Sequence, residues 1–410
     1  MIFTVDSGNT AWVLGATCLV LIMTPGLALF YGGLLRKKNV LAMFGLCFAA
    51  MIAVSIQWFL IGFSMAFGNS TGFVGNMLYA GLSNIMGTWS GSAPNNVPAT
   101  IPTSVFVAFQ CMFAMITAAI LASPFAERTK FGSFLIFIAL WSTIVYNPIV
   151  CWVWNSGGFL AKMGALDFAG GAVVHVNVGF SALAAALVMG KRQGFKKDPM
   201  EPHNIPMVLL GLGLLWFGWF GFNGGSELMA NGFAGIAIVN TNLAGCTSAL
   251  TWIILEYADK AKRKPSTIGI GTGVLAGLAA VTPAAGYVAP LGAFFIGMIA
   301  TLVVYFVLRW RTKSGLDESL DAFACHGMGG ATGTILTGVF ASINGATGLI
   351  TGDWMQVFIQ MLLVACVAGY SFGVTFVLAF IVNKTLKLRV PPQEEYVGVD
   401  LAEHHEIAYN

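Results

Sequence analysis

Two of the five histidines, His175 and His326, stand inside long apolar runs, whereas His203, His404 and His405 fall in polar segments. A polar ring without a partner is costly in an apolar environment, so such a residue usually faces a cavity or a pathway. A neutral imidazole offers one donor and one acceptor nitrogen, and two such rings together can relay a proton or hydrogen-bond a small polar molecule. The pair predicts a narrow polar pathway.

The composition predicts an all-helical membrane protein. Of 410 residues, 57% are hydrophobic and 9% charged, whereas roughly a quarter of the residues of a soluble domain are charged. A helix needs about 20 apolar residues to cross a bilayer, and continuous apolar runs exclude the alternating strands of a barrel. We predict eleven transmembrane helices, beginning near Ala11, Val40, Pro102, Gly132, Gly170, Pro206, Gly232, Thr267, Pro290, Asp321 and Met355.

The basic residues predict the orientation of these spans. They collect in every second connection, and of the 20 Lys and Arg residues only Lys162 falls on the opposite side. The positive-inside rule then places the N-terminus outside and the C-terminus inside. The net charge of +3 is spread over several connections, which argues against a nucleic-acid partner.

Eleven spans can be divided into two inverted five-helix repeats plus one extra helix, an arrangement that pairs equivalent groups near the bilayer midplane. His175 and His326 would each lie roughly 10 Å from the start of their helices and enter from opposite sides, so the two rings are expected to meet. We assign residues 1–385 to a transmembrane transport domain and 386–410 to a cytoplasmic tail. The loop from Gly68 to Ala99 is expected to cap the outer face.

Three carboxylates lie at or near span ends. Asp167 precedes two glycines, where it can cap helix N–H groups, draw cations toward the outer mouth, or do both. Asp321 is as suited to a helix N-cap as to a pore role. Glu227 is expected to have a capping or interfacial role.

Four aromatic residues occupy positions that indicate a role other than packing. Phe109 and Phe113 share a face at helical spacing, and Phe222 precedes Asn223 at an outer helix end. Trp154 also lies at an outer end, where an indole face can attract a small cation.

Nothing in the sequence indicates a cofactor, a metal site or an enzyme. The seven cysteines lie in predicted spans without a CxxC pair, and no phosphate-binding glycine loop is present. Two histidines can in principle ligate a haem, and a Soret band would identify that alternative. The N-terminus lacks a signal peptide, so Met1 is expected to begin the mature chain.

The segment DFAGGAVVHVNVG at 167–179 closely resembles the signature of the ammonium transporter (Amt/Mep/Rh) family, in its Amt branch. Further matching segments are TPGLALFYGGLLRKKNVL at 24–41, FQCMFA at 109–114, WFGFNGGS at 219–226 and DAFACHG at 321–327. The resemblance covers the whole chain. It implies a multi-pass protein of the cell membrane that transports ammonium, and possible substrates include methylammonium.

The resemblance implies an outer site and a gate. Trp154 and Ser226 match the family's outer recruitment site for ammonium, with Phe109 beside it. Phe113 and Phe222 match a stacked phenyl gate.

Deeper positions follow from the same resemblance. His175 and His326 match the family's twin pore histidines, and Asp167 matches an aspartate that holds the site together. Phe30 resembles an inner pore-lining residue. Ammonium would be deprotonated and conducted as ammonia, with or without the proton.

The resemblance also implies a homotrimer and a PII-type signalling protein that docks on the cytoplasmic face. The tail matches the family's regulatory segment at Gly398, Asp400, His404, Glu406 and Tyr409, and departs from it at His405, where related tails often carry glycine. Packing beneath its own trimer is an equally suitable role for the tail. An ammonium sensor with little conduction remains the alternative to a transporter.

Overall fold

The computed structural model describes residues 5–85, 100–260 and 263–409. Within these ranges, nine helical segments are long and apolar enough to cross a membrane. They are α1 (Ser7–Leu34), α2 (Lys37–Phe67), α3 (Thr103–Phe125), α4 (Phe131–Lys162), α5 (Gly171–Met189), α6 (Ile205–Gly225), α7 (Gly232–Ala258), α9 (Pro290–Ser314) and α11 (Met355–Leu386). Two shorter helices complete the bundle: α8 (Thr267–Val281) and α10, which joins Phe323–Met328 to Gly329–Phe340.

The helices begin close to the predicted positions, and capping side chains define the start of some of them. Asp6 accepts a hydrogen bond from the Asn9 N–H, which moves the start of α1 to Ser7 instead of Ala11. Asn231 caps α7 through two backbone N–H groups, so α7 begins at the predicted Gly232. Of the predicted outer cap at Gly68 to Ala99, residues 86–99 lie outside the described residues.

The outer surface of the bundle is apolar. Large exposed hydrophobic side chains recur along helices that face away from the core, among them Ile52, Ile56, Phe306, Phe358 and Ile381. Such a continuous apolar surface is unsuited to water and suited to lipid. The multi-pass prediction agrees with this surface.

Ion pairs join the basic connections to one another on one face of the bundle. Glu127, after α3, binds Arg36, after α1, at 2.9 Å and Arg192, after α5, at 2.8 Å. Asp317, after α9, binds Arg192 at 2.8 Å and Arg128 at 3.2 Å. Burial would raise the pKa of Glu127, but the arginines outweigh it and hold that pKa below its ordinary value. The predicted alternation of sides is therefore consistent with these contacts.

The tail packs against this same basic face through two short helices, α12 (Pro392–Val397) and α13 (Val399–His404). The carboxylate of Asp400 accepts hydrogen bonds from the backbone N–H groups of Leu41 and Ala42, near the start of the long helix in α2. Between the two short helices, Gly398 has φ +120° and lies so close to Lys38 that a side chain there would contact it.

The last residues of the tail return to the loop before α6. The His404 ring lies 5.2 Å from that of Phe131, and the Tyr409 hydroxyl lies 3.0 Å from His203 Nε2. His405 ends α13 with φ +56°, a left-handed conformation that glycine adopts more easily. The Glu406 side chain is exposed.

Candidate functional site

The two buried histidines meet at the centre of the bundle. His175 Nδ1 and His326 Nδ1 are 3.1 Å apart, and the rings are nearly parallel, with centroids separated by 5.1 Å. Both side chains are almost fully buried, and neither Nε2 has a hydrogen-bond partner among the described residues. The predicted encounter of the two rings is confirmed, and it leaves the two Nε2 atoms for a third molecule.

Each histidine stands on a wide helical turn of the π type. His175 lies in Gly171–Val176 at the start of α5, and His326 lies in Phe323–Met328 at the start of α10. Such turns displace side chains from the regular helical spacing and frequently occur at functional sites. Here they place both imidazoles toward the space between α5 and α10.

The two helices cross closely because glycines replace side chains at the contact. A Cβ at Gly179 would overlap the backbone of Gly327, and a Cβ at Gly330 would lie 2.7 Å from the Cβ of His175. Small residues allow membrane helices to approach at backbone distance. The crossing thus fixes the separation of the two rings.

Asp167 anchors the turn that carries His175. Its carboxylate accepts hydrogen bonds from the N–H groups of Gly170, Ala172 and Val173 at 2.9 to 3.0 Å. Burial raises the pKa of Asp167 to about 6, against the lowering effect of these N–H donors. Its predicted capping role is confirmed.

Glu318, and not Asp321, caps the turn that carries His326. The Glu318 carboxylate accepts from the N–H groups of Ala322 and Phe323 at 3.1 and 3.3 Å. The N-cap alternative for Asp321 is therefore wrong. Asp321 instead has φ +60°, a left-handed conformation that ends the loop before the turn. Its carboxylate pairs with Arg311 at 2.6 Å.

Aromatic rings lead from one side of the bundle to the histidines. The rings of Phe113 and Phe222 lie 4.3 Å apart between centroids, and Phe222 stacks on His175 at 6.0 Å. Trp219 stacks on the same imidazole at 5.4 Å. Both phenylalanines are almost fully buried, so together they separate the histidines from the space beyond.

A cavity of about 150 Å³ lies beyond this aromatic pair. Three predicted residues line it: Trp154, Ser226 and Asp167. Trp154 also packs edge-on against Phe113 at 5.8 Å, which connects the cavity to the aromatic pair. The cavity lining also contains Phe67, Phe106, Gln110, Phe168, Leu228 and Tyr287.

Two hydrogen bonds orient the predicted residues at this cavity. The Trp154 indole N–H donates to the Asp167 carbonyl at 2.8 Å, and the Ser226 hydroxyl donates to the Phe222 carbonyl at 2.8 Å. With its proton engaged in this way, the Ser226 oxygen keeps its lone pairs for a donor in the cavity. The site therefore offers an aromatic face and an acceptor, a combination suited to a small cation with N–H groups.

The remaining predicted residues lie elsewhere. Phe109 packs on Phe113 at 4.9 Å but is fully buried and does not line the cavity. Phe30 is buried in α1 beside Tyr31, at a centroid distance of 6.0 Å, and no ring contact joins it to either histidine among the described residues. Glu227 accepts hydrogen bonds from Asn231 and Asn344, so it braces the loops around the mouth.

Trp219, Gln110 and Glu318 were not among the site residues predicted from the sequence. The position of Glu318 had a signal, since it stands eight residues before His326, as Asp167 stands eight before His175. Gln110 stands four residues after Phe106 and three before Phe113 on α3, a spacing that places all three on one face. No group of three or more His, Cys, Asp and Glu side chains suitable for a metal ion occurs among the described residues.

The apolar helices of the bundle are those of a multi-pass membrane protein, and comparisons identify the family. The chain matches the model of the Ammonium Transporter Family over residues 11–409. It is 46% identical to ammonium transporter Amt1 of Archaeoglobus fulgidus over 407 residues, which are 98% of this chain and 100% of that protein. This chain belongs to the ammonium transporter family.

Solved structures share the fold. Mep2 of Saccharomyces cerevisiae superposes with a TM-score of 0.88 at 36% identity, covering 95% of this chain and 88% of that one. A structure described as a sensor Amt protein superposes with a TM-score of 0.89 at 31% identity, covering 97% and 98% of the two chains.

Proposed function

We propose that this chain transports ammonium across the cell membrane by recruiting the cation at the cavity and passing ammonia along the two histidines. The observation that carries the proposal is the continuous series of contacts from Trp154 through Phe113 and Phe222 to His175 and His326. Every step of this route is built from aromatic rings, and its two unpaired Nε2 atoms are the polar groups available at its centre.

Recruitment rests on two complementary groups. The indole face of Trp154 attracts the positive charge, and the Ser226 oxygen accepts one N–H of the ion. Potassium has a similar size and charge, so this site alone discriminates weakly. The buried aromatic pair beyond it disfavours any charged species, and ammonium can respond by losing a proton, which potassium lacks.

Ammonia that passes the aromatic pair meets the histidine pair. The Nδ1 to Nδ1 hydrogen bond leaves each Nε2 as a donor or an acceptor, according to which ring carries the shared proton. Ammonia is both a donor and an acceptor, so it can bind either state. The same pair can carry the released proton, which would make transport electrogenic, and return of that proton to the outside would make it neutral.

The arrangement in the membrane completes the proposal. α8 and α10 also span, giving eleven spans in two inverted five-helix repeats plus α11, with the N-terminus outside and the basic face in the cytoplasm. Three chains form a homotrimer, and residues 386–410 form a regulatory tail on which a PII-type signalling protein docks. Methylammonium is a further candidate substrate.

A second function deserves the same test, because the chain resembles a protein described as a sensor. An ammonium sensor would use the same cavity and conduct little. The experiment is current recording on a solid-supported membrane that carries tight proteoliposomes, given an ammonium pulse and a matched potassium pulse, with an internal pH dye.

An ammonium-specific current would support electrogenic transport, and an internal pH change without current would support neutral ammonia conduction. If the protein gives neither signal but is still stabilised thermally by ammonium, that result would favour the sensor. His326→Leu is expected to abolish proton-coupled conduction, and unchanged currents in this variant would refute a proton relay through the histidines.

A further inference from the structure

We propose that Gln110 is a direct ligand of the ammonium ion at the cavity and contributes to selection against potassium; this inference rests on the proposed function. Its side chain lines the cavity together with Trp154, Ser226 and Asp167. It is 8% exposed, and its Oε1 has no hydrogen-bond partner among the described residues.

A buried amide oxygen without a partner is costly, and native structures usually supply one. The same condition holds for Nε2 of His175 and of His326, the two atoms to which the transported molecule is assigned. Gln110 thus shares an unpaired polar atom with the two histidines, and of these three residues it is the one that lines the cavity.

The position of Gln110 on α3 directs it to the substrate. Phe106, Gln110 and Phe113 share one helical face: Phe106 and Gln110 line the cavity, and Phe113 forms the aromatic pair with Phe222. An ion held at Trp154 and Ser226 therefore occupies the same cavity that the Gln110 side chain lines.

The other polar groups of the cavity leave this role open. The Asp167 carboxylate is occupied by three backbone N–H groups, and the Ser226 oxygen can accept only part of the four N–H groups of ammonium. No lysine or arginine lines the cavity. The Gln110 oxygen adds a second neutral acceptor without adding a charge.

The number of acceptors matters for selectivity. Potassium sites surround the ion with rings of carbonyl oxygens, whereas ammonium needs one acceptor for each N–H that leaves water. Two directional acceptors beneath an aromatic face suit ammonium and leave potassium poorly coordinated. A charged acceptor at the same place would attract both ions and weaken the discrimination.

The test compares Gln110→Met, which removes the acceptor at nearly constant size, with Gln110→Glu, which keeps it and adds charge. Ammonium dose-response curves are recorded as current or internal pH change in proteoliposomes, with and without potassium. We expect Gln110→Met to raise the half-saturating ammonium concentration roughly tenfold, the cost of one hydrogen bond to a charged group. We expect Gln110→Glu to lower it and to make potassium a competitor.

Gln57→Met is the matched control. Gln57 has the same 8% exposure, but its amide is paired with Thr143 and Ser142 and does not line the cavity. Its substitution should leave the half-saturating concentration unchanged. A wild-type half-saturating ammonium concentration in Gln110→Met would overturn the assignment. An equal rise of that concentration in Gln110→Met and Gln110→Glu would overturn it as well.

Failure of the proposed function gives a different result. Wild-type protein would then show no ammonium response in proteoliposomes, whatever stands at position 110. Thermal stabilisation of purified protein by ammonium would still test the ligand, since Gln110→Met should require a higher ammonium concentration than wild type for the same stabilisation.

Discussion

The two histidines stand at the ends of two similar arms, one from Asp167 to His175 and the other from Glu318 to His326. In each arm a buried carboxylate, eight residues before the histidine, caps a wide helical turn through its backbone N–H groups. The surroundings of the two carboxylates differ. Asp167 borders a cavity that no lysine or arginine lines, whereas Glu318 is fully buried and receives a third hydrogen bond from Ser123.

The two carboxylates therefore cap similar helical turns in different electrostatic surroundings. Beside Asp167 the cavity meets a carboxylate that only neutral N–H groups compensate, which favours cations there. Beside Glu318 the neighbouring Asp321 is paired with Arg311. Burial, with Asp321 nearby, raises the pKa of Glu318 to about 7, so its charge is readily given up. Both carboxylates hold a turn in place, and Asp167 also borders a cavity.

The largest expected effect comes from separating the arms. Gly179→Ala places a Cβ against the backbone of Gly327, and backbone cannot move aside as a flexible side chain would. We expect a loss of about 3 kcal/mol or more of stability, measured as thermal unfolding in detergent and as yield of monodisperse protein. Gly369→Ala is the control, because nothing lies within 4 Å of its added Cβ. Similar behaviour of the two variants would show that the arms tolerate a wider crossing.

A smaller effect distinguishes the two carboxylates. Asp167→Asn replaces one acceptor oxygen with a donor that faces backbone N–H groups, and we expect a loss of about 2 kcal/mol, within the range for hydrogen bonds to charged groups. Glu318→Gln should cost about half as much, since its hydrogen bonds to Ala322 and Phe323 are longer and its charge is partly neutralised near pH 7. Thermal unfolding of both variants at pH 7 tests the order, and an equal cost would contradict it.

The pH dependence of Glu318→Gln is a further test of the comparison. The folded-state pKa of Glu318, about 7, lies above its ordinary value of 4.5, so the folded protein binds this proton more tightly than the unfolded chain. The stabilisation is complete below pH 4.5 and is lost as the pH rises through 7. Wild-type protein should therefore lose stability relative to Glu318→Gln between about pH 5 and pH 8. A constant difference in melting temperature over this range would contradict the raised pKa.

Much of the architecture was predictable because it depends on local properties of the chain. Apolar length predicts where a helix can cross lipid, and caps such as Asn231 determine where α7 begins. The alternation of basic connections predicted which loops share a face, and the ion pairs of Arg36, Glu127 and Arg192 agree with it. Resemblance to the family supplied the aromatic and serine positions of the mouth.

Other features depend on contacts between distant residues and had no local signal strong enough to be recognised. Asp321 and Glu318 are both plausible caps in sequence, and only the positive φ of Asp321 and its pairing with Arg311 decide between them. Phe109 matches a family motif beside the recruitment site, yet it is fully buried, and Gln110, the next residue, lines the cavity instead. A one-residue difference on a helix turns a side chain by about 100°, so motif membership alone does not establish which residue faces the cavity.

The apolar helices, a common side for the basic loops and two histidines inside apolar runs could be predicted from the sequence, because each prediction uses side-chain chemistry within one segment. Helix packing gives these histidines, separated by 151 positions, a hydrogen bond between their Nδ1 atoms. That contact requires two helices to approach at the distance that Gly179 and Gly327 allow. Such an approach depends on how whole helices pack, and no local pattern of residues encodes it.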